Sequence, residues 1–472
     1  MTESADENDE RGGGNPPPRF EQQAGPAGRL DRSPAQREIQ RQLLRVFPHL
    51  LRLDAGRREF VRRLRGTPHV VEFFHQVDDP YSHLAVEAIG HLIDRYDVEL
   101  RFHLTSQTDR AHAPEPELLA AYARRDCAAI APHYALDFPR DAPAPSREAI
   151  TQVERLLAGL TGDPRFLKVA LKAGRALWQN DSEALAHIVE RVPSATDDEV
   201  TRTIAEGNAE RTRLRHYSGG MFWYAGEWYW GVDRLYHLEN RLTRLDASRG
   251  TPSPPRFDRP PLDAGTIPNE GRLSLEIFPS LRSPYTAMIF EKSLELAASV
   301  DMPVEIKPVM PMVMRGVPAP PSKGMYIMLD AIREAAHVGA PFGNMYDPIG
   351  RPVERGFSLW PFANARGRGA EFIASFLAAA FAEGRRTDTE AGLRFVVERA
   401  GLSFDEARRE LDGEGWREEL ERNRVTMYEE LGIWGVPSYR LRGSEGEPDL
   451  CVWGQDRLWL VAAEIRRRLA GG

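Results

Sequence analysis

The stretch Arg282-Ser283-Pro284-Tyr285-Thr286 decides how this sequence reads. Just before it, Leu273-Ser274-Leu275-Glu276-Ile277-Phe278 places apolar residues at period two, the pattern of a strand with one buried face. Just after it, Met288, Ile289, Leu294 and Leu296 are spaced for a helix over 287–300 packed on a sheet. A strand therefore ends in a polar turn, and Pro284 stands where the first helical turn tolerates a residue without an N–H. The Ser283 hydroxyl then lies at a helix N-terminus, where free N–H groups and the macrodipole favour an anion. A serine in that position is also an ordinary helix cap.

Two later stretches belong to the same reading, Trp434-Gly435-Val436-Pro437-Ser438 and Trp453-Gly454-Gln455-Asp456-Arg457. Strand, x-Pro-Tyr-x turn, helix, a late Val-Pro and a Trp-Gly-Gln-Asp-Arg-Leu ending, in that order, resemble the DsbA-like branch of the thioredoxin superfamily over residues 271–470. Redox members carry Cys at both outer turn positions, where this chain has Ser283 and Thr286. Serine in the first position is similar to 2-hydroxychromene-2-carboxylate isomerases and kappa-class glutathione transferases.

The resemblance implies that Ser283 hydrogen-bonds the glutathione thiol and favours its reactive thiolate. It implies a cis Val436–Pro437 bond that leaves the Val436 backbone groups to pair with glutathione's cysteine. It also places the γ-glutamyl end at Gln455 and Asp456, whose carboxylate would pair with the free amino group. From the residues alone, Pro437 reads as a strand-edge proline and Asp456 as a favoured first-turn residue. Glutathione is thus the implied cofactor, and a small electrophilic or aromatic compound the implied substrate. The chain departs from those relatives after its second strand. Where they carry Asn or Lys, it has Met310-Pro311-Met312-Val313-Met314-Arg315, an apolar wall with Arg315 as its one cation.

At 472 residues the chain is too long for one ordinary core, which predicts two domains. A net charge of −8 gives no footprint for nucleic acid. No apolar run approaches the roughly 20 residues of a membrane helix. The acidic opening Met1-Thr2-Glu3-Ser4-Ala5-Asp6 is no signal peptide, so a cytoplasmic protein is expected. The two cysteines, Cys127 and Cys451, form no CxxC, which argues against dithiol chemistry. Both are expected to be buried and unbridged. The twelve histidines show no metal-ligand spacing, and no metal site is expected.

Read in order, residues 1–32 are expected to be disordered and 33–66 to form a helical arm packed on a domain, its helical pattern carried by Ile39, Leu43, Leu44, Phe47, Leu50, Leu51 and Leu53. A first domain spans 67–246, a Pro-rich extended linker 247–270, and a second domain 271–472. Asp79-Pro80-Tyr81-Ser82 echoes Ser283 to Thr286 at an offset of 204, and Trp230 to Leu235 echoes Trp453 to Leu458 at an offset of 223. These echoes predict a tandem duplication, an α/β protein of two thioredoxin-like (DsbA-like) domains. Each would carry a helical insertion between its βαβ and ββα halves. Asp79 stands where Ser283 does and Met221 falls near the position of Pro437. A carboxylate there would repel a thiolate, so the first copy reads as degenerate. The function expected is a glutathione-dependent isomerase or transferase. Its rival is a non-catalytic thioredoxin-fold module that binds an extended peptide along Ser283 and Val436, and a disulfide oxidoreductase is disfavoured.

Overall fold

The computed structural model describes residues 30–443 and 446–471, so almost all of the expected disordered tail lies outside it. Eight strands form two small mixed sheets. The first is built from β1 (His69–Gln76), β2 (Val98–Thr105), β3 (Met221–Tyr224) and β4 (Glu227–Trp230), in the order β2-β1-β3-β4. The second is built from β5 (Ser274–Phe278), β6 (Val304–Ile306), β7 (Ser438–Arg442) and β8 (Leu450–Trp453), in the order β6-β5-β7-β8. In both, the first two strands run parallel and the closing hairpin antiparallel. Parallel neighbours need a crossover, supplied by the helices Pro80–Arg95 and Pro284–Ala298.

β6 is only three residues long. Pro303 and Pro308 bracket it, and proline has no N–H for the ladder. Between the βαβ part and the hairpin of each sheet lie helices, among them Pro116–Ile130 and Phe166–Trp178 in the first half and Pro321–Val338 and Gly369–Phe381 in the second. Arg351–Ser358 and Trp360–Ala365 are helices that the sequence pattern does not announce. Their prolines, Pro352 and Pro361, sit in first turns, where they are tolerated but read as loop punctuation. No described helix is long and apolar enough to cross a membrane.

One buried cluster runs through both halves, from Phe73, Leu84 and Trp178 to Ile277, Trp360 and Trp459. The Pro-rich segment 247–270 has no helix or strand beyond an isolated bridge of Ser248 to Tyr96, yet it is docked rather than free. The Arg256 and Phe257 N–H groups donate to the Glu239 carboxylate at 3.0 and 3.1 Å, and the Phe257 ring is buried.

The arm is a single helix, Pro34–Arg65, begun by a capping box of Ser33 and Gln36. Arg37 on its inner face donates to the Ile349 carbonyl at 2.8 Å, and Leu44 packs on the core. Of the apolar residues that carry the helical pattern, Ile39, Leu43, Leu50 and Leu53 project into solvent. The helix turns every 3.6 residues, about 100° per residue, so the stripe containing Arg37, Leu44 and Leu51 faces the body while Leu43 and Leu50, each one residue earlier, point about 100° away from it.

Candidate functional site

Ser283 caps the Pro284–Ala298 helix. Its Oγ accepts from the Thr286 N–H at 3.1 Å and donates to the Val436 carbonyl at 3.3 Å. The Val436–Pro437 peptide is cis, and the Val436 N–H has no hydrogen-bond acceptor among the described residues. Pro437 leads directly into β7, its carbonyl accepting from the Gly454 N–H at 2.9 Å. Ser283 thus touches Val436, and Pro437 adjoins Gly454, the residue before the Gln455–Asp456 turn.

Gln455 and Asp456 sit in a buried polar network that joins the two halves of the chain. Gln455 is 2% exposed; its amide donates to Glu334 at 2.6 Å and accepts from Arg259 at 3.1 Å. Asp456 accepts from Arg234 of the first half at 2.7 Å. Burial would raise the Asp456 carboxyl, but Arg234, Arg457 and Arg259 together hold it below the usual carboxylate range. Arg234 also forks onto Asp330 at 3.0 and 2.9 Å, and the Tyr285 hydroxyl, within the turn itself, donates to Asp330 at 2.9 Å.

The opposite arrangement repeats this with the halves exchanged. Arg457 of the second half forks onto Asp126 at 2.8 and 2.7 Å and onto Asp233 at 2.8 Å, and the Tyr81 hydroxyl donates to Asp126 at 2.7 Å. Each tyrosine–aspartate pair is separated from its counterpart by 204 positions and each Asp-Arg pair by 223, the two offsets of the sequence echoes. Nothing local in the sequence marks Arg259, Asp330 and Glu334 as members of this network. The signal was present in one place, the Asp-Arg dipeptide shared by both Trp-Gly-x-Asp-Arg-Leu segments. The Arg of each segment reaches across to carboxylates of the other half, Arg234 to Asp330 and Asp456 and Arg457 to Asp126 and Asp233.

Around the Ser283 turn, buried polar atoms lack partners. Ser280 Oγ and Thr286 Oγ1 make no hydrogen bond. Arg315 is 5% exposed in the short turn of 3-10 helix Met312–Arg315; one of its Nη groups donates to the Trp434 carbonyl at 2.8 Å, while Nε and the other Nη find no acceptor. Buried guanidinium donors without acceptors are costly and suit an incoming anion. Neither cysteine is placed for chemistry here. Both are unbridged; Cys127 is buried and Cys451 half-buried, and burial pushes the Cys451 thiol up to about 11. Among the described residues no cluster of His, Cys, Asp and Glu is placed to hold a metal.

In the first half Asp79 takes the capping position, its carboxylate accepting from the Tyr81 and Ser82 N–H groups at 3.2 and 3.1 Å. The position opposite it is corrected by one residue. Gly220, not Met221, matches Pro437, since its carbonyl accepts from the Gly231 N–H at 2.8 Å as that of Pro437 does from Gly454. Burial pushes the Asp79 carboxyl up to about 6 against these hydrogen bonds. A folded-state pKa above the ordinary 3.8 means that the native state holds this proton more tightly. Stability from this group thus falls as pH rises from about 4 to about 6, by roughly 3 kcal/mol in all. Asp79→Asn, which keeps an acceptor oxygen, is expected to raise the melting temperature at pH 8 and to leave it unchanged at pH 4. Equal gains at both pH values would show that the carboxyl is not perturbed.

The geometry belongs to a known kind of domain. Residues 274–466 match the DSBA-like thioredoxin domain. Among solved structures, the chain is similar to 2-hydroxychromene-2-carboxylate isomerase, with 18% identity and a TM-score of 0.34 over 41% of this chain and 94% of that one. It is likewise similar to the cytosolic disulfide reductase DsbM from Pseudomonas aeruginosa, with 22% identity and a TM-score of 0.33 over 42% of this chain and 99% of that one. A probable DsbA oxidoreductase from Streptomyces coelicolor matches with 19% identity and a TM-score of 0.32, over 42% and 90%. No significant match to a curated protein is found.

Proposed function

We propose that the chain is a glutathione-dependent isomerase or transferase working through its second half, with Ser283 as the group that stabilises the glutathione thiolate. The observation that carries this reading is the contact of Ser283 Oγ with the Val436 carbonyl at 3.3 Å. It sets a hydroxyl at a helix N-terminus beside the open Val436 N–H, in a DsbA-like domain whose turn has no thiol of its own. An extended cysteinyl residue pairing with the Val436 backbone adds a short strand to the edge. Its sulfur then lies against the Ser283 turn. The hydroxyl releases the Val436 carbonyl and donates to the sulfur, the thiol proton leaves to water, and the thiolate adds to the β-carbon of a substrate C=C conjugated to a carbonyl, opening that π bond so that its electron pair moves onto the carbonyl oxygen, which takes a proton from water. Asp456, ionised and 18% exposed at its side chain, is the acceptor for the γ-glutamyl ammonium. Arg315, with two free donors, is suited to a carboxylate of glutathione or substrate.

The first half is read as the second copy of a tandem duplication that has lost this site. Asp79 replaces the serine and Gly219-Gly220 replaces Val436-Pro437, while the interface residues are kept. Cytoplasmic location is part of the same reading.

Calorimetry with reduced glutathione tests it. Micromolar to low-millimolar binding is expected, weakened about tenfold or more by Ser283→Ala, since a hydrogen bond to a charged group contributes roughly 1.5–3 kcal/mol. No heat at several millimolar glutathione would remove the reading. A second reading, a peptide-binding module without catalysis, is favoured by one feature: Gln455 is fully engaged inside the chain, whereas the Val436 N–H stays open. Binding of extended peptides unaffected by Ser283→Ala would support it instead.

A further inference from the structure

The outer face of the Pro34–Arg65 helix has a period of its own. Apolar residues recur at alternating spacings of four and three from Ile39 through Leu43, Val46 and Leu50 to Leu53, and again at Phe60 and Leu64. Each of these is more than half exposed. Arg57 fills the one seam position between them that is not apolar. An alternation of four and three sustained over nearly four heptads is the seam of a coiled coil, narrower than the broad apolar face of a helix packed on a globular core. The body of the protein does not use this seam, because Arg37, Leu44 and the Arg41 contact to Asn344 hold another face. Pro48 is half-buried on the inner side, so its ring does not interrupt the seam.

We propose that the seam is covered by the same helix of a second copy, running antiparallel. The positions choose that direction. About a two-fold axis between Leu51 and Arg52, Ile39 meets Leu64, Leu43 meets Phe60, Val46 meets Arg57 and Leu50 meets Leu53, so the seam matches itself along its whole length. A parallel pair would instead set Arg57 against Arg57 and align the two helix dipoles unfavourably. In the antiparallel pair the Arg57 stem lies along Val46 while its guanidinium keeps Asp54 of its own chain, at 2.9 Å. A 32-residue helix is about 48 Å long.

The helix carries nine arginines against three acids, a composition that an anionic lipid surface would also attract. Six of those arginines are already paired within the chain, to Asp31, Glu38, Asp54 and Glu59, which leaves few to meet headgroups. The heptad spacing and the self-match favour a second copy.

Sedimentation velocity on the full chain is expected to give twice the 53.2 kDa chain mass at micromolar concentration. Leu50→Glu with Leu53→Glu should give the single-chain mass with unchanged far-UV circular dichroism. Direction is read by oxidative cross-linking: Leu43→Cys with Phe60→Cys should yield a covalent dimer, and Leu43→Cys alone should not. A wild-type monomer throughout the micromolar range overturns the proposal, as does a monomer that pellets with phosphatidylserine vesicles. Efficient cross-linking by Leu43→Cys alone overturns the antiparallel register.

Discussion

Arg457→Met is expected to lower the unfolding free energy by about 3–5 kcal/mol, the cost of leaving a buried charge without its partner. Arg457 is 3% exposed and holds two carboxylates, Asp126 and Asp233, at 2.7–2.8 Å. Removing it strands both in the interface between the halves. Arg457→Lys should recover only part of the loss, because an ammonium cannot fork onto a carboxylate. Arg234→Met should cost a similar amount, since Arg234 does the same for Asp330 and Asp456 from the other side. Guanidinium unfolding measures these differences. A loss below 1 kcal/mol for Arg457→Met would mean that the halves are held by apolar contact alone.

The second large effect is expected from Gly435→Ala. A Cβ at Gly435 would lie 2.1 Å from Cε2 and 2.2 Å from Nε1 of the Trp453 indole. Ordinary van der Waals contact needs well over 3 Å, so the ring or the 434–436 loop must move. The Trp453 ring is hemmed in, because it packs on Trp434 at 4.7 Å and on Tyr122 at 5.9 Å, and its backbone N–H donates to the Tyr122 hydroxyl at 2.8 Å. Overpacking of this kind costs roughly 1–3 kcal/mol. It also shifts Val436, the group proposed to pair with glutathione. Gly435→Ala should therefore lower both the melting temperature and glutathione affinity, the latter tenfold or more. Unchanged values for both would show that the Trp453 ring has another place to go.

These residues also show what could be read from the sequence. The strands, the crossover helices and the caps were legible because they depend on neighbours: period two in β5, Ser283-Pro284 before a helix, Ala225-Gly226 between two aromatic strands. Ser283, Val436 and Pro437 are brought together by that local order plus the sheet. The partners of Asp456 and Gln455 were not legible, since Arg234, which holds Asp456, lies 222 positions away and Arg259, which holds Gln455, sits in a segment that reads as a tether. Ion pairs between distant segments leave no local period. The helices at 351–365 were hidden by prolines that mark loops and first turns alike. In the arm, one amphipathic pattern contained two stripes, and only the structure tells which of them faces the body.

The most direct test of the account is the thiol pKa of glutathione bound to the full chain, followed by ultraviolet absorbance of the thiolate. A hydrogen bond from Ser283 together with the helix N-terminus should place it about one to two units below that of free glutathione, each unit being about 1.4 kcal/mol. The combined variant Ser283→Ala with Thr286→Val should return it to the free value while leaving the fold intact. Thr286 is included because its buried hydroxyl, one turn away and without a partner, could otherwise take over the sulfur. A bound thiol that titrates at the free value in the wild-type protein would contradict the account and leave Ser283 as a helix cap.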